Sequence, residues 1–562
     1  MVSYKGLGKS CIMIIVVAGI ERFTFKGIQS NLVPYLTEVV KLSTTAAVRI
    51  VNLWFGLSYT LPVIGAFLAD SFSDRYSTLT FSSLIYVSGL VALSSTAFVW
   101  DTTSKYRVSR AHEGASSSSL SSSFLLYLSL LLLALGQGGY NPCLQAFGAD
   151  QLHLTQDDDN QNQLPSSTNT TDGSDECEEV NSNETKRSSF FRWYYFSICS
   201  GTLLGVTALS YLQEILGWGI GYAIPTIIMA FSVAPFLCGT RFYTIIKTPK
   251  SSTGENTTMI KKLAKSIKGT ALKLMNRSKT LPSNSPFVQL RAQQKPPGCT
   301  QDSDDQPTNI TNQLSPDVLV EEPKEEKKSL VKLIPIWALL IVFSITLQQP
   351  ATFFTKQGLE MKRKFGSHFI VPSASLQGAK SITIILLVPV FDKVVTPIFR
   401  ITTRSKKGIS VMQRLGIGLF ITVVAMVVSA IVEKQRLNIS RRQPNVSSAQ
   451  LNIFWLVPQY ILMGMSEVFT VVGMQEFFYN EVPSKFKTLG MALPQVFFGV
   501  GSFLSAIMIS ILDKATSDRH GQHGWFADDM KGGQLDKYYW LLAFASAVSL
   551  VCFAIYSRKF YH

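Results

Sequence analysis

The sequence predicts an all-α membrane protein: twelve transmembrane helices in two six-helix halves joined by a cytosolic linker. Three observations carry that prediction. Charged residues make up only 16% of the 562, where about 25% is usual for a soluble chain. Apolar runs of about 20 residues recur, the length a helix needs to cross a hydrocarbon core. A spanning segment must pair its own backbone groups, so these runs are helices rather than open sheet.

Taken in order, the spans read at about 11–36, 47–70, 78–99, 122–146, 190–212, 219–243, 332–356, 374–398, 410–432, 452–477, 487–511 and 538–557. Lys5 and Lys9 precede the first run. That run is too long for a secretory leader and has no small-residue cleavage site, so it reads as a first membrane helix with a cytosolic amino terminus. The loop 400–408 is basic, but so is the opposite-side loop 433–445, which divides the positive-inside signal. Residues 153–188 read as an acidic, disordered cytosolic loop. The chain thus divides into an amino-terminal half (1–243), a cytosolic linker (244–331) and a carboxy-terminal half (332–562). This is the layout of the major facilitator superfamily. Within the linker, 257–276 carries Ile260, Leu263, Ile267 and Leu274 at helical spacing, with Lys261, Lys265 and Lys268 mostly on the other side. It reads either as a basic amphipathic helix on the membrane surface or as a solvated helix packed on the bundle.

Several function classes fall away. Part of the net charge of +15 lies in the lysines of the central segment, and it suits an anionic leaflet rather than nucleic acid. The seven cysteines include no CxxC pair, so neither a disulfide framework nor a zinc site is read. All six histidines lie in predicted loops or at the end, which leaves no intramembrane histidine relay or histidine-ligated metal. "GLGKS" at 6–10 resembles a phosphate loop, but Ser3 stands where the required glycine would be. No cofactor site and no enzyme motif is found, and no oligomer signal is present.

Charges inside the spans remain. Each costs roughly 3 kcal/mol at the bilayer centre, so each faces the bundle interior or water and marks a functional site by default. The first span carries Glu21, Arg22 and Lys26, and the tenth carries Glu467 and Glu476. Facing one cavity from opposite halves, these groups can bind a charged solute, hold a proton and gate. The plainer alternative is an ion pair that merely locks the halves. Asp70 and Arg75 bracket a short turn after the second span, where acid and base stabilise one conformation. On the fourth span, Gly136, Gly138 and Gly139 permit close helix approach, and Pro142 frees a backbone carbonyl beside a polar cavity.

The stretches "ERFTFKG", "GAFLAD", "GGYNPCLQAFGADQ", "RWYYFSICSGTLLG", "TFFTKQG", "PSASLQ", "FWLVPQYILMGMSEVFTVVGMQEFFYNEVP" and "LDKYYWLLA", as an ordered set, resemble the plant nitrate transporter 1/peptide transporter family. That family belongs to the proton-coupled oligopeptide transporters. The resemblance implies a proton-driven carrier working by alternating access, with both termini cytosolic and the solute site between the halves. It also exposes departures. The family's first-span motif is Glu-x-x-Glu-Arg; Glu21 and Arg22 match its second part, but its first glutamate is Ala18. A family lysine just before the fourth-span proline is Asn141, and Lys26 stands where an aromatic residue is usual. Loss of one acid and one base together avoids leaving a buried unpaired charge. Lys26 is accordingly expected to replace the missing cation and to pair with Glu21 or Glu467. A family histidine linked to nitrate transport is Leu347 here, beside Gln349, which argues against nitrate by that route. Thr78 matches a phosphorylation site of one relative.

The reading is a multi-pass plasma- or vacuolar-membrane protein whose partners are lipid, protons and a small nitrogen-containing solute. The solute is peptide-like, zwitterionic or an organic anion. Glu21, Arg22, Lys26 and Glu467 are expected to couple and gate; Asn141, Leu347, Gln349, Glu467 and Glu476 are expected to line the solute cavity. A solute receptor with little flux and an uncoupled uniporter are the alternatives.

Overall fold

The computed structural model describes residues 9–71, 75–109, 116–161, 190, 193–238, 324–366, 369–390, 410–442, 451–481, 487–516, 524–527 and 533–561. Of the expected linker 244–331, residues 244–323, and with them the amphipathic stretch 257–276, lie outside these residues.

The chain begins with α1, Lys9–Pro34, which runs on into a π-helical turn, Tyr35–Val39. Next come α2 (Thr44–Ser71), α3 (Arg75–Ser109), α4 (Ser116–Gln161), α5 (Trp193–Leu216) and α6 (Trp218–Cys238). After the central segment follow α7 (Lys324–Thr346), the short α8 (Phe353–Leu359) and a hairpin of β1 (Lys364–Phe365) and β2 (Phe369–Ile370). The chain closes with α9 (Gln377–Val390), α10 (Val411–Arg442), α11 (Val457–Glu481), α12 (Lys487–Thr516) and α13 (Leu535–Tyr561). Among the described residues, nine helical segments are long and apolar enough to cross a membrane: α2 to α5, α7 with α8, and α10 to α13. The α6 and α9 regions supply shorter apolar helices, and α1 carries the three charges noted above. Helices α3 to α6 pack mainly within the first set, and α9, α10, α11 and α13 within the second; the two sets meet most closely where α12 lies along α2, and also where α8 reaches α1.

Small residues set the helix crossings, as expected for a protein whose interfaces gain little from hydrophobic sorting. A Cβ on Gly136 would lie 2.6 Å from the Tyr86 backbone, and one on Gly65 would lie 2.2 Å from the Gly138 carbonyl oxygen. Along α1 and α5, a Cβ on Gly201 would lie 2.1 Å from Gly19 O, and one on Gly205 would lie 2.4 Å from Phe23 O. Gly65→Ala therefore drives a side chain into backbone. It is expected to cost about 1–3 kcal/mol, read as a lowered thermal midpoint of the purified protein. Gly416→Ala, whose Cβ meets only Phe553 at 3.7 Å, serves as the neutral comparison.

Three expected boundaries change. The seventh span was expected to be continuous over 332–356, but the helix breaks after Thr346 and resumes at Phe353, with a 3₁₀ turn at Gln349–Ala351 between. Pro350 lacks an N–H and blocks the preceding turn. Its own carbonyl accepts hydrogen bonds from Thr355 Oγ1 (2.8 Å) and Tyr460 Oη (3.2 Å). The break thus leaves that oxygen paired at membrane depth. The expected loop at 433–445 is helical through Arg442, because Glu433 and Arg436 neutralise each other on the inward face next to buried Val432 and Leu437. The expected disordered loop at 153–188 begins as helix: α4 continues through Gln161.

Candidate functional site

Glu21 lies on the α1 face turned inward and is only 1% exposed. Arg22 Nε lies 2.9 Å from its Oε2, while Glu21 Oε1 has no hydrogen-bond partner. From α4, Asn141 offers its side-chain oxygen to the Arg22 guanidinium. The neutral residue at the fourth-span position thus becomes an acceptor for the cation, and Arg22 is held from two sides. Tyr86, Tyr140 and Tyr194 surround the pair within electrostatic reach. The Tyr86 and Tyr140 hydroxyls have no hydrogen-bond partner.

Lys26, one turn further along, donates to Gln29 Oε1 at 2.7 Å and lies over the Phe25 ring at 5.7 Å. It makes no ion pair with a described carboxylate, so the expected contact with Glu21 or Glu467 is not made here. Arg22 already holds Glu21, and a lysine that the sequence reading overlooked holds Glu467. Lys380 of α9 places its Nζ 2.6 Å from Glu467 Oε2. This contact is a close ion pair rather than an aligned hydrogen bond. The helices are brought together at Gly464, where a Cβ would lie 2.8 Å from Lys380 O. Lys380 is itself a charge within the expected eighth span, so the rule that found Glu467 applies to it as well. The two sets of helices share this region: the Tyr59 hydroxyl of α2 accepts from Gln29 Nε2 at 3.4 Å and lies within electrostatic reach of Lys26, Lys380 and Glu467. Tyr195 and Cys199 of α5 also face the Glu467 charge.

The other expected site residues separate. Gln349 is fully buried and donates to Tyr538 Oη at 3.2 Å, so it joins the packing of the second set rather than lining an open cavity. Leu347 packs in the break before Pro350 against buried apolar side chains. Thr78 is part of the first turn of α3 rather than a free turn; it is half-buried, with its methyl facing Gly139 of α4. Arg75 opens α3. The side chains of Asp70, Glu476 and all six histidines lie outside the described residues.

Two further polar clusters went unnoticed in the sequence. Glu433 and Arg436 form a two-pronged pair at 2.7 and 2.8 Å with 0% and 3% exposure. A carboxylate and guanidinium at i, i+3 read as loop until the fold buries them together. At the end of the bundle where α1 finishes, the hairpin reaches across both sets. Arg363 pairs with Glu214 of α5, and Phe369 stacks on Tyr211 at 5.4 Å. The backbone of Lys362 bonds Leu451 and Ile453 ahead of α11 at 2.9 and 3.1 Å. Gln377 adds a bond to Ser30 O of α1 at 3.3 Å. Reversing one charge, Glu214→Arg or Arg363→Glu, is expected to loosen this closure by about 0.5–1 kcal/mol, as for a partly exposed pair. Hydrogen exchange of 361–371 should rise severalfold, and the doubly reversed protein should return to the wild-type rate.

The comparisons with known proteins agree with this architecture. A family model described as PTR2, the POT family, matches residues 76–526. The chain is 41% identical to "Protein NRT1/ PTR FAMILY 5.9" of Arabidopsis thaliana, over 99% of this chain and 96% of that protein. It is 36% identical to "Protein NRT1/ PTR FAMILY 5.10" of the same plant, over 100% and 94%. Among solved structures, an auto-inhibited POT family peptide transporter superposes with a TM-score of 0.67 at 18% identity, covering 98% of this chain and 97% of that one. A POT family transporter in complex with 5-aminolevulinic acid superposes with a TM-score of 0.64 at 15% identity, covering 99% and 98%. At such identities the structural likeness is one of fold.

Proposed function

The chain belongs to the POT family and is a multi-pass membrane transporter, and from that premise we propose that it is a secondary active carrier that moves a small nitrogen-containing solute bearing an anionic group together with protons. The observation that carries this reading is the meeting of Lys26, Tyr59, Lys380 and Glu467 from both sets of helices around one partly exposed region. Lys26, with no described carboxylate of its own, receives the solute's anionic group. Glu21, buried with one oxygen unpartnered, is the group that carries the proton. Alternating access moves 1–243 against 332–562, with 244–331 as a cytosolic linker, both termini in the cytosol, and α1, α6 and α9 counted among twelve spans. The membrane is the plasma membrane or the vacuolar membrane. A facilitated uniporter is the second reading, favoured by the neutral Ala18 and Asn141.

The test uses purified protein in liposomes holding an internal pH dye, with nitrate, dipeptides and a chelating amino acid offered in turn. Proton entry with one solute supports symport. Solute entry without protons selects the uniporter. No entry of any solute, with binding retained, leaves a receptor and overturns the proposal.

A further inference from the structure

We propose that Lys380 is a resident ammonium occupying, on Glu467, the seat that a solute's amine would take, so that the site selects net-anionic solutes over zwitterions. The inference deepens the transport reading above and rests on it. An acid facing the solute region ordinarily invites an amine. Here that acid is already matched, with Lys380 Nζ 2.6 Å from Glu467 Oε2 and both side chains only partly exposed, at 19% and 27%. The match is imposed by packing rather than by chance rotamers, since Gly464 lets α11 approach the Lys380 backbone itself. Both partners belong to the same set of helices, so the pair persists when the sets move against each other.

The charge balance follows. Among the described side chains of the site, three cations (Arg22, Lys26 and Lys380) meet two carboxylates (Glu21 and Glu467). Arg22 is matched by Glu21 and Lys380 by Glu467. Lys26, held by Gln29 and Phe25 and paired with no described carboxylate, is the charge left over. One anionic group neutralises the site. A zwitterion brings an amine as well, and that amine must either displace a tethered ammonium or remain desolvated without a partner, which is costly.

Binding of dialanine and of N-acetyl-dialanine, which differ in the amine charge, tests this on the purified full-length protein by a titration that needs no flux. The wild type is expected to prefer the acetylated form by about tenfold or more, the worth of one charge-assisted contact. Lys380→Gln, which uncovers Glu467, should bring dialanine up to equal or better binding. Glu467→Gln, which removes the counter-ion of Lys380 and leaves its ammonium free for the solute's anionic group, should tighten the acetylated form about tenfold. Equal binding of the two probes by the wild type, an unchanged ratio in Lys380→Gln, or binding of neither probe overturns the proposal. Absent flux in liposomes with the binding preference intact overturns instead the transport reading and leaves the role of Lys380 standing.

Discussion

Replacing Arg22 by methionine is expected to abolish uptake, with a loss of at least about a hundredfold. The guanidinium is the counter-ion of Glu21 at 2.9 Å and the donor to Asn141. Its removal leaves a carboxylate of 1% exposure without a partner, a penalty of about 3–5 kcal/mol. Glu21 is then a buried acid without its counter-ion, and the proposed proton site is disrupted. The double replacement Glu21→Gln and Arg22→Met removes both charges and should restore folded yield, measured by size-exclusion chromatography. It should not restore proton-linked uptake, measured with the internal pH dye. A double variant that still coupled would move the proton site elsewhere, with Glu467 the next acid to test.

Arg436→Met is expected to produce a large loss of thermal stability. Glu433 has no exposure, and the two hydrogen bonds from Arg436 are what make its charge tolerable. Breaking such a pair from one side costs about 3–5 kcal/mol, whereas replacing both members by apolar groups of similar volume is often neutral or stabilising. Glu433→Leu with Arg436→Met should therefore recover most of the midpoint in a thermal scan. If the double change is as damaging as the single one, the pair serves binding or gating beyond its own burial. Uptake measured on the folded double variant separates these cases.

These two pairs also mark where the sequence is legible and where it is not. Glu21, Arg22 and Glu467 announce themselves because a charge within an apolar run needs a reason to be there. The glycines of α4 announce themselves through spacing, and Gly136, Gly138 and Gly139 all sit at helix crossings. Lys380 obeys the same rule as Glu467, but it lies close to the start of its expected span, where a long side chain is usually free to reach the interface. Glu433 and Arg436 follow the apolar core of their helix and look like its polar margin. Only the surrounding helices bury them, and a one-dimensional pattern holds no record of that. The expected seventh span runs straight through Pro350, although a proline lacks the N–H that a continuing helix needs. What the sequence did not carry was the pair of hydroxyls, from Thr355 nearby and Tyr460 more than a hundred residues away, that satisfy its carbonyl.

That cut in the seventh helix has a mechanical consequence. An intact transmembrane rod resists bending through its whole ladder of peptide bonds, and a carrier that had to flex one on every cycle would strain backbone each time. A rod already divided between Thr346 and Phe353 behaves as two stiff levers on a soft joint. Its resistance is that of the side-chain packing around the joint, the buried rings of Phe353 and Phe354 and the hydroxyls that meet the Pro350 carbonyl, rather than that of an unbroken ladder. The short outer lever carries the hairpin closure at its tip, so a small swing at the joint becomes a larger displacement at the mouth. In the proposed cycle such a joint would set the stroke, and the side chains that pair with it would set how stiff that stroke is.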